Sequence, residues 1–211
     1  DVKASRGLGD VYKRQEEYTL VACADYVLQS EKGALVSNLS SSRALADLAN
    51  DCGVDYHASA VGEVHVVAKM KEVNAVIGGE GNGGVILPAL HYGRDALVGI
   101  ALFLSHLAKE KISVSALKAR YASYVMDKKK IELSPSWDAD ALLAAVAKTF
   151  ADARVTTIDG VKIDFVDSWI HLRKSNTEPI IRLYGEAKTQ EKMADKINTI
   201  EAAIAAFVAS T

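Results

Sequence analysis

From Glu16 onward, apolar positions recur with a helical period: Leu20, Val21, Ala24, Val27 and Leu28 fall on one face. A short apolar run, Ala34 to Val36, predicts a strand. Ser40, Ser41 and Ser42 stand where a helix carrying Leu45 and Leu48 needs an N-cap, and Gly53 is placed to stop it. A strand near Val54 to His57 leads to a helix from about Gly62 to Lys71. Ala75 to Ile77 predicts a buried strand, Val85 to Leu87 another, and Arg94 to Lys109 a long helix with an apolar face. That alternation implies an α/β/α layered domain with a mostly parallel sheet.

The pattern changes after Lys109. Val114 to Tyr121 predicts a helical connector, and Lys128, Lys129 and Lys130 a solvated strand edge or turn. Asp138 heads an alanine-rich helix running to about Phe150. Val155 to Ile158, an Asp159-Gly160 turn and Val161 to Phe165 carry a strong hairpin signal. Trp169 to Leu172 and Ile180 to Tyr184 predict two more strands, and Gln190 to Val208 a closing helix. Strands grouped between helices imply a smaller α+β domain with an antiparallel-rich sheet. Residues 1–15 show no period and are read as a non-native or disordered extension, with the patterned chain starting inside a larger protein. The expected division is therefore residues 16–112, a connector at 113–123, and residues 124–211.

Composition narrows the function classes. The 211 residues are 49% hydrophobic and 25% charged, enough for an ordinary globular core. A net charge of -2 disfavours a nucleic-acid or membrane-surface binder, which would carry a basic excess. The apolar run Ala96 to Leu104 is too short to span a bilayer, and no signal peptide is visible. Cys23 and Cys52, at no metal-ligand or disulfide-framework spacing, are read as small core residues in a reducing cytoplasm.

Two stretches carry candidate chemistry. In R-K-S-N-T-E-P-I-I-R, Arg173 and Arg182 each offer a planar fork of donors suited to a phosphate, and Ser175, Asn176 and Thr177 add hydroxyl and amide donors on a loop between strands. The structural reading is equally open: a turn whose serine and asparagine bond their own backbone, with both arginines in surface ion pairs. In G-G-E-G-N-G-G, Gly78 to Gly84, five glycines in seven positions are expected to let the backbone approach a ligand and adopt positive φ. Glu80 and Asn82 supply acceptors and an amide, equipment better suited to sugar hydroxyls than to an anion. The alternative is a plain turn with a solvated glutamate.

Taken together, G-G-E-G-N-G-G followed by H-Y-G-R-D, then R-K-S-N-T-E-P-I-I-R-L-Y-G-E-A, resemble the α-D-phosphohexomutase family of phosphoglucomutase, phosphomannomutase and phosphoglucosamine mutase. In that family four domains surround a cleft. The third carries a sugar-specificity loop of the G-E-x-S-G type and the fourth a phosphate-binding loop of the R-x-S-N-T-x-P type. The resemblance covers Glu16 to about Ala209 and implies that Glu80 and Asn82 contact sugar hydroxyls. It implies that Arg173, Ser175, Asn176, Thr177 and Arg182 hold the phosphate that is not transferred. His91 is retained as a ligand contact beside the specificity loop, and Arg43 because Ser40-Ser41-Ser42-Arg43 resembles the family's S-T-S-R segment near the cleft.

The chain also departs from the family pattern. Asn82 stands where serine is commoner, and Val61-Gly62-Glu63-Val64 lacks the lysine or histidine often found near that turn, although His65 follows. The family's phosphoserine and its D-G-D-G-D-R metal loop have no counterpart; Asp138-Ala139-Asp140 is read as a helix cap. His57, His106 and His171 are read as structural. The resemblance thus implies the C-terminal half of a phosphoglucomutase/phosphomannomutase, inactive alone. The intact enzyme would use Mg2+, with hexose 1,6-bisphosphate as activator and intermediate. Its partners would be a hexose phosphate and the N-terminal domains. The alternatives are a phosphoglucosamine mutase and a non-catalytic sugar-phosphate-binding module.

Overall fold

A computed structural model of the chain describes residues 16–134, 137–175 and 177–209. The chain divides into two compact units between Ser123 and Tyr124.

In the first unit, β1 (Leu35–Asn38), β2 (Tyr56–Ser59), β3 (Ile77–Glu80) and β4 (Gly84–Ile86) form one sheet in the order β2-β1-β3-β4. β1 pairs in parallel with β2 and β3, and β4 returns antiparallel to β3. The chain steps outward through α2 (Ala44–Cys52) to β2, then back through α3 (Glu63–Glu72) to β3. Because both crossovers are right-handed by preference, the two helices cover opposite faces. Val66 and Met70 of α3 pack on Val36, Ala75 and Ile86. The largely buried α1 (Glu16–Leu28) contacts β3, β4, α2 and α4 (Ala96–Glu110). Gly53 ends α2 in the left-handed region at φ 66°, and Asp95 caps α4 by accepting the N–H groups of Leu97 and Val98. Cys23 is fully buried, and burial pushes its thiol pKa up to about 12; Cys52, expected in the core, is only half-buried at the end of α2.

The segment expected as a connector belongs to this unit. α5 (Val114–Lys118) buries Leu117, and Tyr121 donates to the Asp25 carboxylate at 2.8 Å. Tyr18 also donates to the Ala122 carbonyl and Arg120 to Glu110, both at 2.8 Å, so the segment is held along its length.

The second unit is a five-stranded antiparallel sheet in the order β5-β9-β8-β7-β6. Its strands are β5 (Val125–Glu132), β6 (Arg154–Thr156), β7 (Val161–Asp164), β8 (Ser168–Lys174) and β9 (Ile180–Ala187). Side chains alternate across it. Val161, Ile163, Ile170, Leu172, Ile181 and Leu183 form a core with α6 (Ala139–Thr149) and α7 (Gln190–Ala209). β5 is an edge strand, and its lysine run splits by face: Lys129 reaches Glu201 of α7 at 2.9 Å, while Lys128 lies over the Tyr184 ring. Asp138 caps α6 through the N–H groups of Asp140 and Ala141. Among the described residues, no helix is long and apolar enough to cross a membrane.

Candidate functional site

The glycine-rich stretch, expected as a loop after the strand Ala75 to Ile77, is itself largely strand, folded as a hairpin. β3 runs through Gly78, Gly79 and Glu80, and only the turn at 81–83 lies outside strands. Within the stretch only Gly83 has positive φ, at 86°. The other glycines answer to close packing inside the protein. A β-carbon on Gly78 would stand 2.7 Å from Met70 Sδ and 2.8 Å from the Val36 carbonyl, one on Gly79 would overlap the Gly84 carbonyl, and one on Gly81 would overlap the Glu17 carboxylate.

This packing fixes Glu80. The residue ends β3 beside Asn38, which ends β1, so both stand at the carboxyl ends of the parallel strands, where open α/β sheets place ligands. Glu80 is 6% exposed. Its Oε1 accepts from Asn38 Nδ2 at 2.9 Å and from the Gly62 N–H, the N-cap of α3, at 3.2 Å. Its Oε2 lies 3.4 Å from Arg94 Nη1. The helix end and the amide thus donate to one oxygen, while the guanidinium faces the other.

The serine cluster does more than cap. Ser42 Oγ accepts the Ala44 N–H, while Arg43 occupies the N-cap position of α2 and its side chain does not cap the helix. Ser41 donates to Asn38 Oδ1 and accepts the Gly81 N–H at 2.9 Å, and Glu17 Oε2 accepts the Ser42 N–H. Asn38, Ser41, Ser42, Glu17 and Glu80 are all buried. The network ties β1, α1 and the hairpin together. Asn82, at the tip, is exposed and accepts the Gly84 N–H. His91 engages Asp95 Oδ2 at 3.1 Å; the Asp95 carboxyl is held low first by the Val98 N–H and then by His91.

In the second unit, strand register sets the geometry. Arg173 of β8 and Arg182 of β9 are directly opposite, so both project from one face of the sheet, and Lys130 of β5 is opposite Arg182. Three cations therefore stand abreast, a repulsive arrangement unless anions are present. Glu178 takes Arg182 at 3.0 Å and Lys130 at 3.1 Å, while Asp159 takes Arg173 at 3.6 Å. Ser175, 9% exposed, brings Oγ within 3.5 Å of both Arg182 Nη2 and the Thr177 N–H. Thr177 is exposed, and Asn176 lies outside the described residues. Behind Arg173, buried His171 donates from Nε2 to the Asp159 carbonyl at 2.6 Å; burial, then neighbouring cations, push its pKa down to about 4.

Asp138 and Asp140, the nearest sequence match to a metal loop, are taken up by the α6 N-terminus and by Lys174, which sits 2.7 Å from Asp140. They do not fit a magnesium site.

Sequence reasoning missed several groups at these sites. Arg94 binds both Glu63 and Glu80, yet only the H-Y-G-R-D spacing hinted at the arginine. Asn38 and Glu17 carry no motif. Lys130 was assigned to a solvated edge and Asp159 to a turn, because the strand pairing that brings them to Arg182 and Arg173 is not written locally.

Residues 15–124 match the family described as phosphoglucomutase/phosphomannomutase, alpha/beta/alpha domain III, and residues 123–203 its C-terminal domain. A phosphoglucomutase/phosphomannomutase of Thermococcus kodakarensis is 36% identical over 84% of this chain and 39% of its own length. A phosphoglucosamine/phosphogalactosamine mutase of Sulfurisphaera tokodaii is 33% identical over 79% and 37%. The crystal structure of a phosphoglucomutase/phosphomannomutase family protein from Burkholderia thailandensis superposes with a TM-score of 0.77 at 26% identity, over 90% of this chain and 41% of that one. The chain thus spans about two fifths of the length of the relatives it matches. With both of its units accounted for, the chain belongs to the phosphoglucomutase/phosphomannomutase, or α-D-phosphohexomutase, family and carries that family's domain III and C-terminal domain.

Proposed function

We propose that this chain is the hexose-phosphate-recognising portion of a phosphohexomutase that interconverts hexose 1-phosphates and hexose 6-phosphates. Glu80 and Asn82 read sugar hydroxyls in the first unit, with His91 and Arg43 at the margins of that site. Arg173, Ser175, Asn176, Thr177 and Arg182 hold a phosphate in the second. The observation that carries the reading is the cross-strand pair Arg173 and Arg182, two cations placed opposite each other with the Ser175 hydroxyl at one of them. Like charges so placed cost stability unless an anion engages them, and planar guanidinium forks match a phosphate's oxygens.

This chain's residues bind and orient, which contributes to rate by proximity. A phosphoryl-carrying nucleophile and the charge neutralisation that transfer requires are assigned to the remainder of the enzyme, as is Mg2+, which would supply electrostatic stabilisation of the moving group. A hexose 1,6-bisphosphate is the expected intermediate and activator, and the cytoplasm the expected location. The chain alone is expected to bind sugar phosphate weakly without turnover. Glucose or mannose phosphates are favoured by the Thermococcus relative; the Sulfurisphaera relative, nearly as similar, supports hexosamine phosphates as the second reading.

The test is calorimetric titration of the chain with glucose 1-phosphate, beside a coupled mutase assay with magnesium and glucose 1,6-bisphosphate. Binding that Arg173→Ala weakens by roughly tenfold or more, with no turnover, supports the proposal. Unaltered binding by that variant contradicts the phosphate assignment, and turnover by the purified chain contradicts the assignment of the nucleophile elsewhere.

A further inference from the structure

Arg94 stands beside Glu80 in a setting built for it. Its backbone N–H donates to Glu63 Oε1 at 3.1 Å and its Nε to Glu63 Oε2 at 2.8 Å, so one carboxylate grips both the main chain and the guanidinium. Those two donors, the backbone one foremost, hold the Glu63 carboxyl below its ordinary range. The side chain lies across Gly84: a β-carbon there would meet Arg94 Cδ at 2.6 Å, so the absence of a side chain makes room for the arginine. Two contacts and a cut-away backbone restrict its rotamers, which separates this arginine from a freely swinging surface ion pair.

The guanidinium's relation to Glu80 is incomplete. Nη1 to Oε2 is 3.4 Å, longer than the usual N–H···O bond. Glu80 Oε1 is already occupied by Asn38 and Gly62, whereas Oε2 has acceptor capacity left. The Glu80 side chain is 8% exposed and that of Arg94 41%. A fixed donor therefore borders a fixed, buried acceptor, and the donor is the accessible member of the pair. A sugar hydroxyl both accepts and donates, so one group placed here would take a hydrogen bond from Arg94 and give one to Glu80. A phosphate, negatively charged at neutral pH, would face the carboxylates of Glu80 and Glu63 as well as the guanidinium.

We propose that Arg94 is a specificity-determining residue of the hexose site, reading with Glu80 a single ring hydroxyl as a donor–acceptor pair. The inference rests on the assignment of the hairpin to sugar recognition. Glu63 is its positioning residue, holding the guanidinium over Gly84.

The test is a titration cycle on the 211-residue chain, using glucose 1-phosphate, its 2-, 3- and 4-deoxy analogues, and inorganic phosphate. In the unaltered chain, one deoxy analogue is expected to bind roughly tenfold more weakly than the parent sugar. In Arg94→Met that penalty disappears, parent and analogue bind alike, and inorganic phosphate is unchanged. Arg94→Lys, which keeps the charge but lacks the fork, is expected to restore part of the penalty, an outcome that a merely structural role would not produce. A deoxy penalty of the same size in Arg94→Met, or an equal loss for every ligand including inorganic phosphate, overturns the proposal. Glu80→Gln separates the levels. If it leaves glucose 1-phosphate affinity intact, the hairpin assignment itself fails. If it weakens binding while Arg94→Met does not, only the role of Arg94 fails. Absence of any glucose 1-phosphate binding by the unaltered chain overturns both.

Discussion

Under the proposed assignment, the hairpin of the first unit and the anion loop of the second solve recognition in opposite ways. Glu80 is buried, held by two hydrogen bonds and an ion pair, and backed by a network reaching Asn38, Ser41, Ser42 and Glu17. Arg173 and Arg182 are half-buried cations pushed together by strand register and relieved by exposed or half-exposed acids. A hydroxyl is neutral and must be recognised by placement alone, so its acceptor is locked before it arrives. A phosphate brings its own charge and can displace weak surface pairs, so its site tolerates internal repulsion. The difference predicts that changes to the packing of the hairpin cost stability as well as affinity, and changes at the anion loop chiefly affinity.

The largest expected effect is from Gly79→Ala. Its methyl group would overlap the Gly84 carbonyl, which belongs to the paired strand and cannot move without opening the hairpin. Overpacking of this kind costs about 3 kcal/mol or more, to be read as a lowered urea midpoint in circular dichroism. Tryptophan fluorescence provides a separate probe, because Trp137 and Trp169 both lie in the second unit. A change of under about 0.5 kcal/mol would mean that the hairpin is looser than its packing implies.

The second unit should show a comparable effect with pH rather than with substitution. His171 is held neutral, its pKa lowered from 6.5 to about 4 by burial. The unfolded chain therefore binds the extra proton first as pH falls. The stability tied to the neutral imidazole is fully present above pH 6.5 and is lost progressively between pH 6.5 and about 4, by roughly 3 kcal/mol in all. Fluorescence-monitored unfolding at steps across that window, with and without His171→Asn, would show the slope and its reduction in the variant. Equal slopes would place the acid sensitivity elsewhere.

Asn38→Asp is expected to sit next in size. It replaces the amide that donates to Glu80 Oε1 at 2.9 Å with a second carboxylate. Two buried carboxylates at that spacing share a proton, so one pKa rises in the folded state. The variant should lose about 2 kcal/mol near neutral pH, recover as pH falls through the raised pKa, and bind sugar phosphate best in mild acid. A loss independent of pH would show that the two groups separate in the variant.

Smallest for stability, Arg173→Ala should change unfolding by under about 0.5 kcal/mol, or even stabilise, because it relieves the pairing with Arg182. The same substitution should cost phosphate affinity heavily. Lys130→Ala, one strand further out, should lower that affinity by only a few-fold and make it less salt-sensitive. Large destabilisation by either variant would erase the contrast between the two sites.

What the sequence made legible follows the range of the interaction. The Asp138 cap, the Gly53 stop and the alternating strands of the second unit depend on neighbours a few residues away, and their patterns were readable. β3 was misplaced because Gly78 and Gly79 have no strand propensity; they are strand residues because Met70 and the paired strand leave no room for side chains. The hairpin after β6 was readable at Asp159 and Gly160, with Gly160 at φ 71°, but nothing local said that Asp159 would hold Arg173. Glu80, Arg173, Ser175 and Arg182 stood out because their chemistry is concentrated in short stretches. Arg94, Glu63, Asn38 and Lys130 are single residues from separate elements, and only the folded chain brings them to those stretches.

The central claim of the proposal is that the hairpin of the first unit binds sugar hydroxyls and the loop after β8 in the second unit binds phosphate. Amide chemical-shift mapping during titration with glucose 1-phosphate tests it most directly. The account expects concentration-dependent shifts at Gly62, Glu80, Gly81 and Arg94 in the first unit and at Ser175, Thr177 and Arg182 in the second, with inorganic phosphate moving only the second set. Shifts confined to one unit with the sugar phosphate, or identical maps for the two ligands, would contradict it.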